Sequence, residues 1–297
     1  MSLVVGGDAL AAMRMRGIAW MIGANVAFTG LDTLAKVLGQ TVDPLQVSWF
    51  RYASNLVLML FVLRAWRRPY LFDTSKPLLQ FLRGMCLLGS TVFNFFALRY
   101  LQLAEAAAIS FAGPLFITAL AGPLLGEKIG WRRWGAVGVG FLGMLVVIRP
   151  GLGGMHWAAM FSVASVTCYA FYVILTRHLG HTETAEGLVL HGAIVGTVVL
   201  MPTLPPVWDT PTSLWLWAAL LATGLLGGVG HFMLIQAYKR APATVIAPFT
   251  YMQIVWMVIA GYLVFGDSPD VWTLYGAGII ISSGLYILHR ERVTRGG

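Results

Sequence analysis

The chain has 297 residues, of which 58% are apolar and 11% are charged. A soluble domain carries about 25% charged residues, so this composition indicates a membrane protein. One bilayer crossing takes about 20 apolar residues, and ten crossings leave roughly ten residues for each connection and end. These numbers exclude a soluble enzyme, a DNA-binding domain and a transporter with its own nucleotide-hydrolysing domain, because each needs a separate water-facing core.

Ten apolar segments follow one another along the chain, and each is long enough to cross a bilayer as a helix. Proline ends several of them, as at Pro44, Pro69 and Pro150, because it removes a backbone donor. The segments cover approximately 17–37, 45–65, 78–98, 103–125, 133–149, 156–177, 186–203, 214–237, 243–265 and 271–289. The sequence therefore predicts an all-α polytopic membrane protein with ten transmembrane helices.

The net charge of +8 is distributed as a topology signal. With the N-terminus inside, fifteen of the twenty Lys and Arg residues fall on the cytoplasmic side. Lys36, Arg99 and Arg149 fall outside, while Arg51 and Arg83 lie within spans. Because cytoplasmic loops carry an excess of basic residues, both termini are expected in the cytoplasm of a bacterial inner membrane. No nucleic-acid partner is expected from this charge.

The two halves of the chain resemble each other at a nearly constant offset of about 140 residues. The matches include Phe28 with Tyr169, Lys36 with Arg177, Gly84 with Gly224, Gly126-Glu127 with Gly266-Asp267, and Gly143 with Gly284. Each half holds five spans, an odd number, so the second copy enters the membrane from the opposite side. The sequence predicts two inverted five-helix repeats, over residues 15–150 and 155–290. This architecture is associated with secondary transporters, whose site lies near the midplane between the repeats.

One face of the first span is polar over about three turns. Asn25, Thr29, Asp32 and Lys36 share it at helical spacing. A polar stripe of this kind is not expected to face lipid. It faces either a wet cavity or another helix, and the sequence leaves both interpretations open.

Other polar and aromatic residues point to a chamber between the halves. Gly113-Pro114 in the fourth span and Pro248 in the ninth span each cost a backbone hydrogen bond, which is tolerated where the backbone faces protein or water. Ordinary interior packing is the alternative for each residue singly; together they predict an aromatic chamber for an amphiphilic solute. The predicted substrate-binding residues are Asn25, Phe28, Asn94, Tyr169, His231, Phe249, Gln253 and Trp256.

Three other patterns receive structural interpretations. Residues 138–143 fit the GxGxxG fingerprint, but they lie inside an apolar span, so close helix packing is expected. Residues 178–183 contain two His and one Glu, but Gly180 interrupts the helix that would align them on a metal. Arg51 and Arg83 are expected to anchor helix ends or bond backbone carbonyls. No catalytic residue, metal or cofactor is predicted.

The chain resembles the drug/metabolite transporter superfamily, in particular its EamA-type members with ten spans in two five-span halves. The features that carry the resemblance are Ala97-Leu98, Pro114, Gly126-Glu127, Ala237-Tyr238, Gly266-Asp267, Lys36 and Arg51. The resemblance implies export of small metabolites, often amino acids, through a cavity lined by spans one, three, four, six, eight and nine, and suggests the aromatic amino-acid exporter branch. Ile254 departs from the pattern as the mate of Pro114, which puts the symmetry of the two bends in doubt.

The expected function is alternating-access transport of amino acids or similar small amphiphilic metabolites. A nucleotide-sugar or drug carrier, a membrane-embedded enzyme and a passive scaffold or receptor are the alternatives. The expected partners are the solute and the lipid bilayer, with the chain a monomer or weak homodimer. No carboxylate is expected at the centre of the membrane, which favours downhill transport, with His231 the deepest candidate for a proton.

Overall fold

A computed structural model describes residues 7–125, 130–150, 156–180 and 182–295, so the predicted match at Gly126-Glu127 lies outside the described residues. Within these ranges the chain folds into α-helices and short helical turns. The α-helices are α1 (Gly7–Leu38), α2 (Pro44–Leu63), α3 (Pro77–Tyr100), α4 (Leu103–Ser110), α5 (Gly113–Leu125), α6 (Trp131–Ile148), α7 (Ala159–Leu179), α8 (Ala185–Leu200), α9 (Leu214–Arg240), α10 (Ala243–Thr250), α11 (Gln253–Ala260) and α12 (Val271–Arg295). A π-helical turn, Gly261–Phe265, follows α11.

Ten stretches of the described chain are long and apolar enough to cross a membrane, as the sequence predicts. The fourth span consists of α4 and α5, and the ninth consists of α10, α11 and the π-helical turn. The prediction misjudged some ends, because α1 begins at Gly7 and α12 runs on to Arg295. These extensions contain arginines, so hydropathy alone does not include them.

The connections gather on two sides of the helix bundle. On the Lys36 side, Lys36 contacts Asp267 after the ninth span, and Gln46 at the start of α2 bonds Asp209 before α9. On the Lys76 side, Lys76 before α3 lies 3.3 Å from His178 at the end of α7. Consecutive spans therefore alternate in direction across the bundle.

Helix packing is symmetric between the two halves. Exchanging the halves replaces α1, α2, α3 and α6 by α7, α8, α9 and α12, respectively. The packed pair α1–α9 then becomes α7–α3, and α2–α9 becomes α8–α3; all of these pairs are in contact. The pairs α6–α12 and α2–α8 exchange with themselves and are also packed. This pattern confirms two inverted five-helix repeats.

Two matched glycines show the symmetry in detail. A Cβ on Gly84 of α3 would lie 2.7 Å from the Cβ of Val195 on α8. A Cβ on Gly224 of α9 would lie 2.6 Å from the backbone nitrogen of Asn55 on α2. Val195 is the repeat mate of Asn55, so glycine allows the same close helix approach in both halves.

The fourth and ninth spans break at matched positions. α4 ends before Phe111, and α10 ends before Tyr251, which is the repeat mate of Phe111. The N–H of Leu115 donates to the Ala112 carbonyl at 2.9 Å, and the matching bond from Val255 to Met252 is 3.0 Å. Both bonds join residues three apart, as in a 3₁₀ helix, so the helix is locally tightened at each break.

The doubt raised by Ile254 was therefore wrong: the bends are symmetric although Ile254 replaces the mate of Pro114. Pro248, four residues before Met252, removes a donor on the ninth span instead. The rings of Phe111 and Tyr251 meet edge to face with their centroids 5.3 Å apart. The two breaks therefore touch each other where the repeats meet.

The glycine segment 138–143 serves packing at two of its three glycines. A Cβ on Gly140 would overlap Leu115, and one on Gly143 would lie 2.8 Å from Ile279 of α12. Gly138 has nothing within 4 Å of its Cβ position. The segment lies inside α6, so the helix-packing interpretation holds for Gly140 and Gly143.

Candidate functional site

The polar face of α1 contacts three different parts of the protein. Asn25, which is 2% exposed, donates to the Phe249 carbonyl at 2.7 Å, just before the break in the ninth span. Asp32 accepts a hydrogen bond from Asn94 of α3 at 3.1 Å. Thr29 is buried, and its hydroxyl makes no hydrogen bond to a described residue. Much of the stripe is thus a network between helices, as one of the two interpretations predicted.

Ion pairs join the two halves on the Lys36 side. The Lys36 ammonium lies 2.6 Å from Asp267 and 4.5 Å from the centroid of the Phe265 ring. Arg149, just after α6, pairs with Asp270. Burial raises the pKa of Asp270, but hydrogen bonds at Thr273 and the Arg149 guanidinium outweigh this effect, so its pKa is below the ordinary value.

We call Asp32, Asn94 and Arg51 the Asp32 cluster. Asp32 and Asn94 each lie six residues before the ends of α1 and α3, and Arg51 lies seven residues after the start of α2. At 1.5 Å per residue, all three are roughly 10 Å from the helix ends on the Lys36 side. All three side chains are partly accessible.

The guanidinium of Arg51 is incompletely satisfied. It lies 4.8 Å from the centroid of the Tyr52 ring, and its buried Nε atom has no hydrogen-bond partner among the described residues. A Cβ on Gly227 of α9 would lie 3.8 Å from this Nε. The amide oxygen of Asn55, one turn along α2, is likewise buried and unpaired. A glycine-rich part of α9 therefore packs against polar groups of α2.

Phe28 and His231 lie one helical turn from the Asp32 cluster. Their rings meet edge to face at 5.1 Å, and Nδ1 of His231 is 2.8 Å from the Gly227 carbonyl. Because a carbonyl only accepts, Nδ1 is assigned the proton, which leaves Nε2 as an acceptor. His231 can therefore accept a hydrogen bond from a solute.

Tyr169 lies in the middle of α7 beside the broken fourth span. A Cβ on Gly113, the first residue of α5, would lie 3.7 Å from the Tyr169 ring. Tyr172 is the next aromatic residue, with its ring centroid 6.0 Å away. The side chain of Tyr169 is 42% exposed although it occupies a span interior. It therefore borders open space.

The structure brings only some of the eight predicted residues together. Asn25 contacts Phe249, and Phe28 contacts His231. Asn94 bonds Asp32 instead of another predicted residue. Tyr169, Gln253 and Trp256 share no hydrogen bond or ring contact with the other five, among the residues that the structure describes. The buried indole nitrogen of Trp256 has no partner in the described part of the chain.

The prediction left out Asp32 and Arg51. Both were recognised as ionisable residues within spans, which is the signal that identifies them. The sequence predicts Asp32 only as a member of the polar stripe, and Arg51 as an anchor of a helix end or a donor to backbone carbonyls. Asp32, Asn94 and Arg51 lie at a common depth because α2 runs opposite to α1 and α3. Residue spacing along a single helix does not show this depth.

Arg83 differs from Arg51, because its guanidinium is surrounded by partners. Its Nε donates to the Thr176 hydroxyl at 2.7 Å and its Nη1 to the Leu188 carbonyl at 2.8 Å. Gln80 and the Tyr172 hydroxyl lie 3.4 and 3.3 Å away, and the residue is 1% exposed. We call these five residues the Arg83 cluster. The predicted role of bonding carbonyls holds for Arg83.

On the Lys76 side, Glu183 joins the two halves. It accepts hydrogen bonds from the hydroxyls of Thr74 and Ser75 and from the Ser75 backbone, at 2.9 to 3.1 Å. Burial raises the pKa of Glu183, but these bonds outweigh that effect, so its pKa is below the ordinary value. His178 lies next to Lys76, and His181 is outside the described residues.

A groove of about 690 Å³ lies between α6 and α12. Its lining includes Val139 and Tyr275, which are 51% and 63% exposed on the outer surface of the bundle. No predicted site residue lines it. The groove is therefore separate from the interface between the repeats, and it faces the region that acyl chains occupy.

Comparison with known proteins identifies the family. A model described as the EamA-like transporter family matches residues 15–149 and 156–288. The S-adenosylmethionine uptake transporter of Rickettsia conorii is 32% identical over 279 residues, which is 94% of each chain. The riboflavin transporter of Vibrio cholerae is 25% identical over 280 residues, covering 93% of this chain and 94% of the relative.

A relative with the opposite stated direction is also similar. The pseudopaline exporter of Pseudomonas aeruginosa is 25% identical over 276 residues, covering 89% of this chain and 93% of its own length. One solved crystal structure shares the fold with a TM-score of 0.57 at 17% identity, covering 96% of this chain and 99% of that one.

Proposed function

The chain belongs to the EamA-like transporter family and is a multi-pass membrane transporter of small metabolites; we propose that its substrate is a zwitterionic metabolite with an aromatic ring, of the S-adenosylmethionine type. This substrate contains an amino-acid group, so it agrees with the prediction of an amino-acid-like amphiphile. Uptake is the proposed direction, since the relatives at 31–32% identity carry that name.

The observation that carries this proposal is the chemistry at the seam between the repeats. Aromatic rings that a base can stack on, Phe28 and Tyr169, lie beside a helix contact and a helix break between the halves. His231 offers an acceptor, and Trp256 offers an indole N–H that has no partner among the residues the structure describes. Aromatic walls with a few polar groups are typical of sites for amphiphilic ligands.

The eight residues predicted from the sequence remain the proposed substrate contacts, within repeats proposed to span residues 15–150 and 155–290. Both termini are proposed to lie in the cytoplasm of a bacterial inner membrane, in agreement with the basic residues on the Lys76 side. Transport proceeds by rocking of one repeat against the other, which alternately exposes a site between them.

Counterflow in proteoliposomes tests the proposal. Vesicles loaded with unlabelled S-adenosylmethionine are expected to accumulate the labelled compound transiently, because a carrier exchanges one molecule for another. Riboflavin, phenylalanine and a nucleotide sugar serve as competing solutes. Exchange of one of these solutes, without exchange of S-adenosylmethionine, would contradict the proposed substrate. No exchange of any of them would contradict a carrier for this class.

Phe28→Ala, Tyr169→Ala and Trp256→Ala are each expected to lower the exchange rate about 5- to 160-fold, since each removes about 1–3 kcal/mol of stacking or contact. Phe61→Ala is the matched control, because this ring is 67% exposed on α2 and lies outside the proposed site. Unchanged exchange in all three site variants would remove the aromatic chamber.

A further inference from the structure

Two opposite charges face the same part of the interior without forming a contact pair. Asp32 and Arg51 lie on different helices at a common depth, and their helices meet at Gly227 of α9, where a Cβ would lie 3.7 Å from Leu31, the neighbour of Asp32, and 3.8 Å from Nε of Arg51. The ion pairs within 4.0 Å whose partners are both described are instead Lys36 with Asp267 and Arg149 with Asp270. Charged side chains within membrane spans are costly, so both residues are candidates for a functional role.

Both charged groups keep unused bonding capacity. Asp32 uses Oδ1 to accept from Asn94, while Oδ2 makes no hydrogen bond to a described residue. A carboxylate has about four lone-pair positions, so it can accept further donors. Nε of Arg51 has no hydrogen-bond partner among the described residues, and its side chain is partly accessible. The cluster therefore combines an acidic and a basic side chain that each have bonding positions left for added contacts.

The neighbouring groups fix where a ligand would extend. Phe28 lies one turn from Asp32 on α1, and its ring contacts His231. Asn94 holds the carboxylate from α3, and Tyr52 holds the guanidinium by its ring face. A molecule with its charged end between Asp32 and Arg51 can therefore place an aromatic part against Phe28 and His231.

We propose that the Asp32 cluster is the site that recognises the charged end of the substrate, with Asp32 binding its positive centre and Arg51 binding its carboxylate. This inference rests on the proposed function and deepens it, because it assigns the substrate's charged groups to two residues. An α-amino acid carries both groups on one carbon, and a carboxylate suits the planar fork of arginine.

Ligand analogues that lack one charge at a time test the assignment. The probes are S-adenosylmethionine, its decarboxylated form, S-adenosylhomocysteine without the sulfonium charge, and methylthioadenosine without the amino-acid end. Affinities are measured by calorimetry on the purified full chain in lipid nanodiscs. Wild type is expected to bind S-adenosylmethionine about 10- to 100-fold more tightly than methylthioadenosine, as charged hydrogen bonds are worth that factor.

Each variant is expected to lose one discrimination. Arg51→Gln weakens S-adenosylmethionine about 10-fold or more and leaves the decarboxylated form within about twofold of wild type. Asp32→Asn weakens the sulfonium and ammonium ligands and leaves methylthioadenosine within about twofold. Asp32→Glu and Arg51→Lys retain the charges. Both variants are therefore expected still to bind S-adenosylmethionine more tightly than its decarboxylated form and more tightly than methylthioadenosine.

Glu105→Gln and Arg99→Gln are matched controls, because both residues lie near the same side of the bundle and outside the cluster. They are expected to leave all four affinities within about twofold of wild type. Thermal unfolding of each variant separates a binding defect from misfolding. If Asp32→Asn or Arg51→Gln does not fold, Asp32→Glu or Arg51→Lys is used in its place.

The outcomes separate the two proposals. In one outcome, wild type binds S-adenosylmethionine, and Asp32→Asn and Arg51→Gln leave the affinity ratios among the four probes unchanged. This outcome overturns the Asp32 cluster as a recognition site and leaves the proposed substrate class standing. Wild type that binds none of the four probes overturns the substrate class and this assignment together.

Discussion

Two arginines within spans, Arg51 and Arg83, lie at similar depths from opposite sides of the bundle, and their surroundings differ. Arg83 has hydrogen-bond partners on three helices, including a backbone carbonyl. Arg51 lies against the face of the Tyr52 ring, and among the described residues its Nε has no hydrogen-bond partner. A satisfied guanidinium joins helices, whereas an incompletely satisfied one is available to a ligand. The partners, and not the residue type or depth, distinguish the two roles.

Replacing each arginine by methionine gives the largest expected difference. Arg83→Met leaves the Leu188 carbonyl and the Thr176 hydroxyl without their donor, at a cost of about 3 kcal/mol. That cost lowers the unfolding temperature by roughly 6–12 °C. Arg51→Met is expected to lower it by less than about 3 °C, while exchange falls at least tenfold.

Thermal unfolding in detergent and counterflow in vesicles measure the two effects. Equal losses of stability in both variants would contradict the distinction between a joining arginine and a ligand-binding one.

The helix contact beneath Arg51 gives the next largest effect. A Cβ on Gly224 would lie 2.7 Å from the Arg51 carbonyl and 2.0 Å from the Ser54 hydroxyl, and the carbonyl belongs to a rigid helix. Gly224→Ala is therefore expected to destabilise by about 2 kcal/mol through overpacking, which lowers the unfolding temperature by roughly 4–8 °C.

Gly138→Ala is the matched control, since its Cβ position is open. Alanine improves helix propensity there, so stability is expected to stay equal or rise by up to about 1 kcal/mol. Similar losses in both variants would show that the tight contact at Gly224 does not limit helix packing.

The ion pair between Lys36 and Asp267 tests whether contacts on the Lys36 side control transport at the Asp32 cluster. Lys36 is one turn beyond Asp32 on α1, and its partner belongs to the other repeat. Lys36→Met is expected to lower the exchange rate about three- to tenfold, because a partly buried ion pair is worth about 1 kcal/mol.

The double variant Lys36→Asp with Asp267→Lys restores opposite charges and is expected to recover at least half of the rate. Failure of the exchanged pair to recover any rate, with normal folding, would assign the effect to one residue and not to the pair.

The smallest effect concerns Glu183 on the Lys76 side. Its pKa in the folded protein is lowered, so the hydrogen bonds from Thr74 and Ser75 stabilise the fold above the ordinary carboxyl pKa. This contribution is lost as the pH falls through the lowered pKa. Wild type is expected to exceed Glu183→Gln by about 1 °C in unfolding temperature at pH 7, since exposed contacts contribute little.

The difference between these two proteins is expected to shrink as the pH falls below the ordinary carboxyl pKa of about 4.3 and to vanish below the lowered pKa of Glu183. Unfolding temperatures measured from pH 7 to pH 3 provide the test. A difference that grows toward low pH would contradict the assigned sign.

The sequence predicted the fold more fully than the site because the two depend on different information. The constant offset between the halves predicted the matched glycines Gly84 and Gly224, and hydropathy located the ten spans. The sequence predicted a lost backbone hydrogen bond at Pro248 but not that the two bends match, because Ile254 stands where the mate of Pro114 was expected. A repeat preserves the place of a bend without preserving the residue that causes it.

The contacts of the candidate site depend on distances between helices. The stripe on α1 was recognised, but its partners Asn94, Phe249 and Asp267 are 62 to 231 residues away in sequence. Nothing in the spacing along α1 indicates these partners. The expectation that Arg83 anchors a helix end or bonds carbonyls followed from its long side chain near a span end, and that argument needs no partner to be known.

The exchange symmetry of the helix contacts has an energetic consequence. If the repeats were identical, the state open to one side and the state open to the other would be built from the same contacts and equally populated. A difference in their populations then arises from positions where the repeats differ. One example is the residue that packs on the matched glycine, which is Asn55 at Gly224 and Val195 at Gly84. Substitutions that equalise such positions are expected to shift the resting conformation without touching the solute.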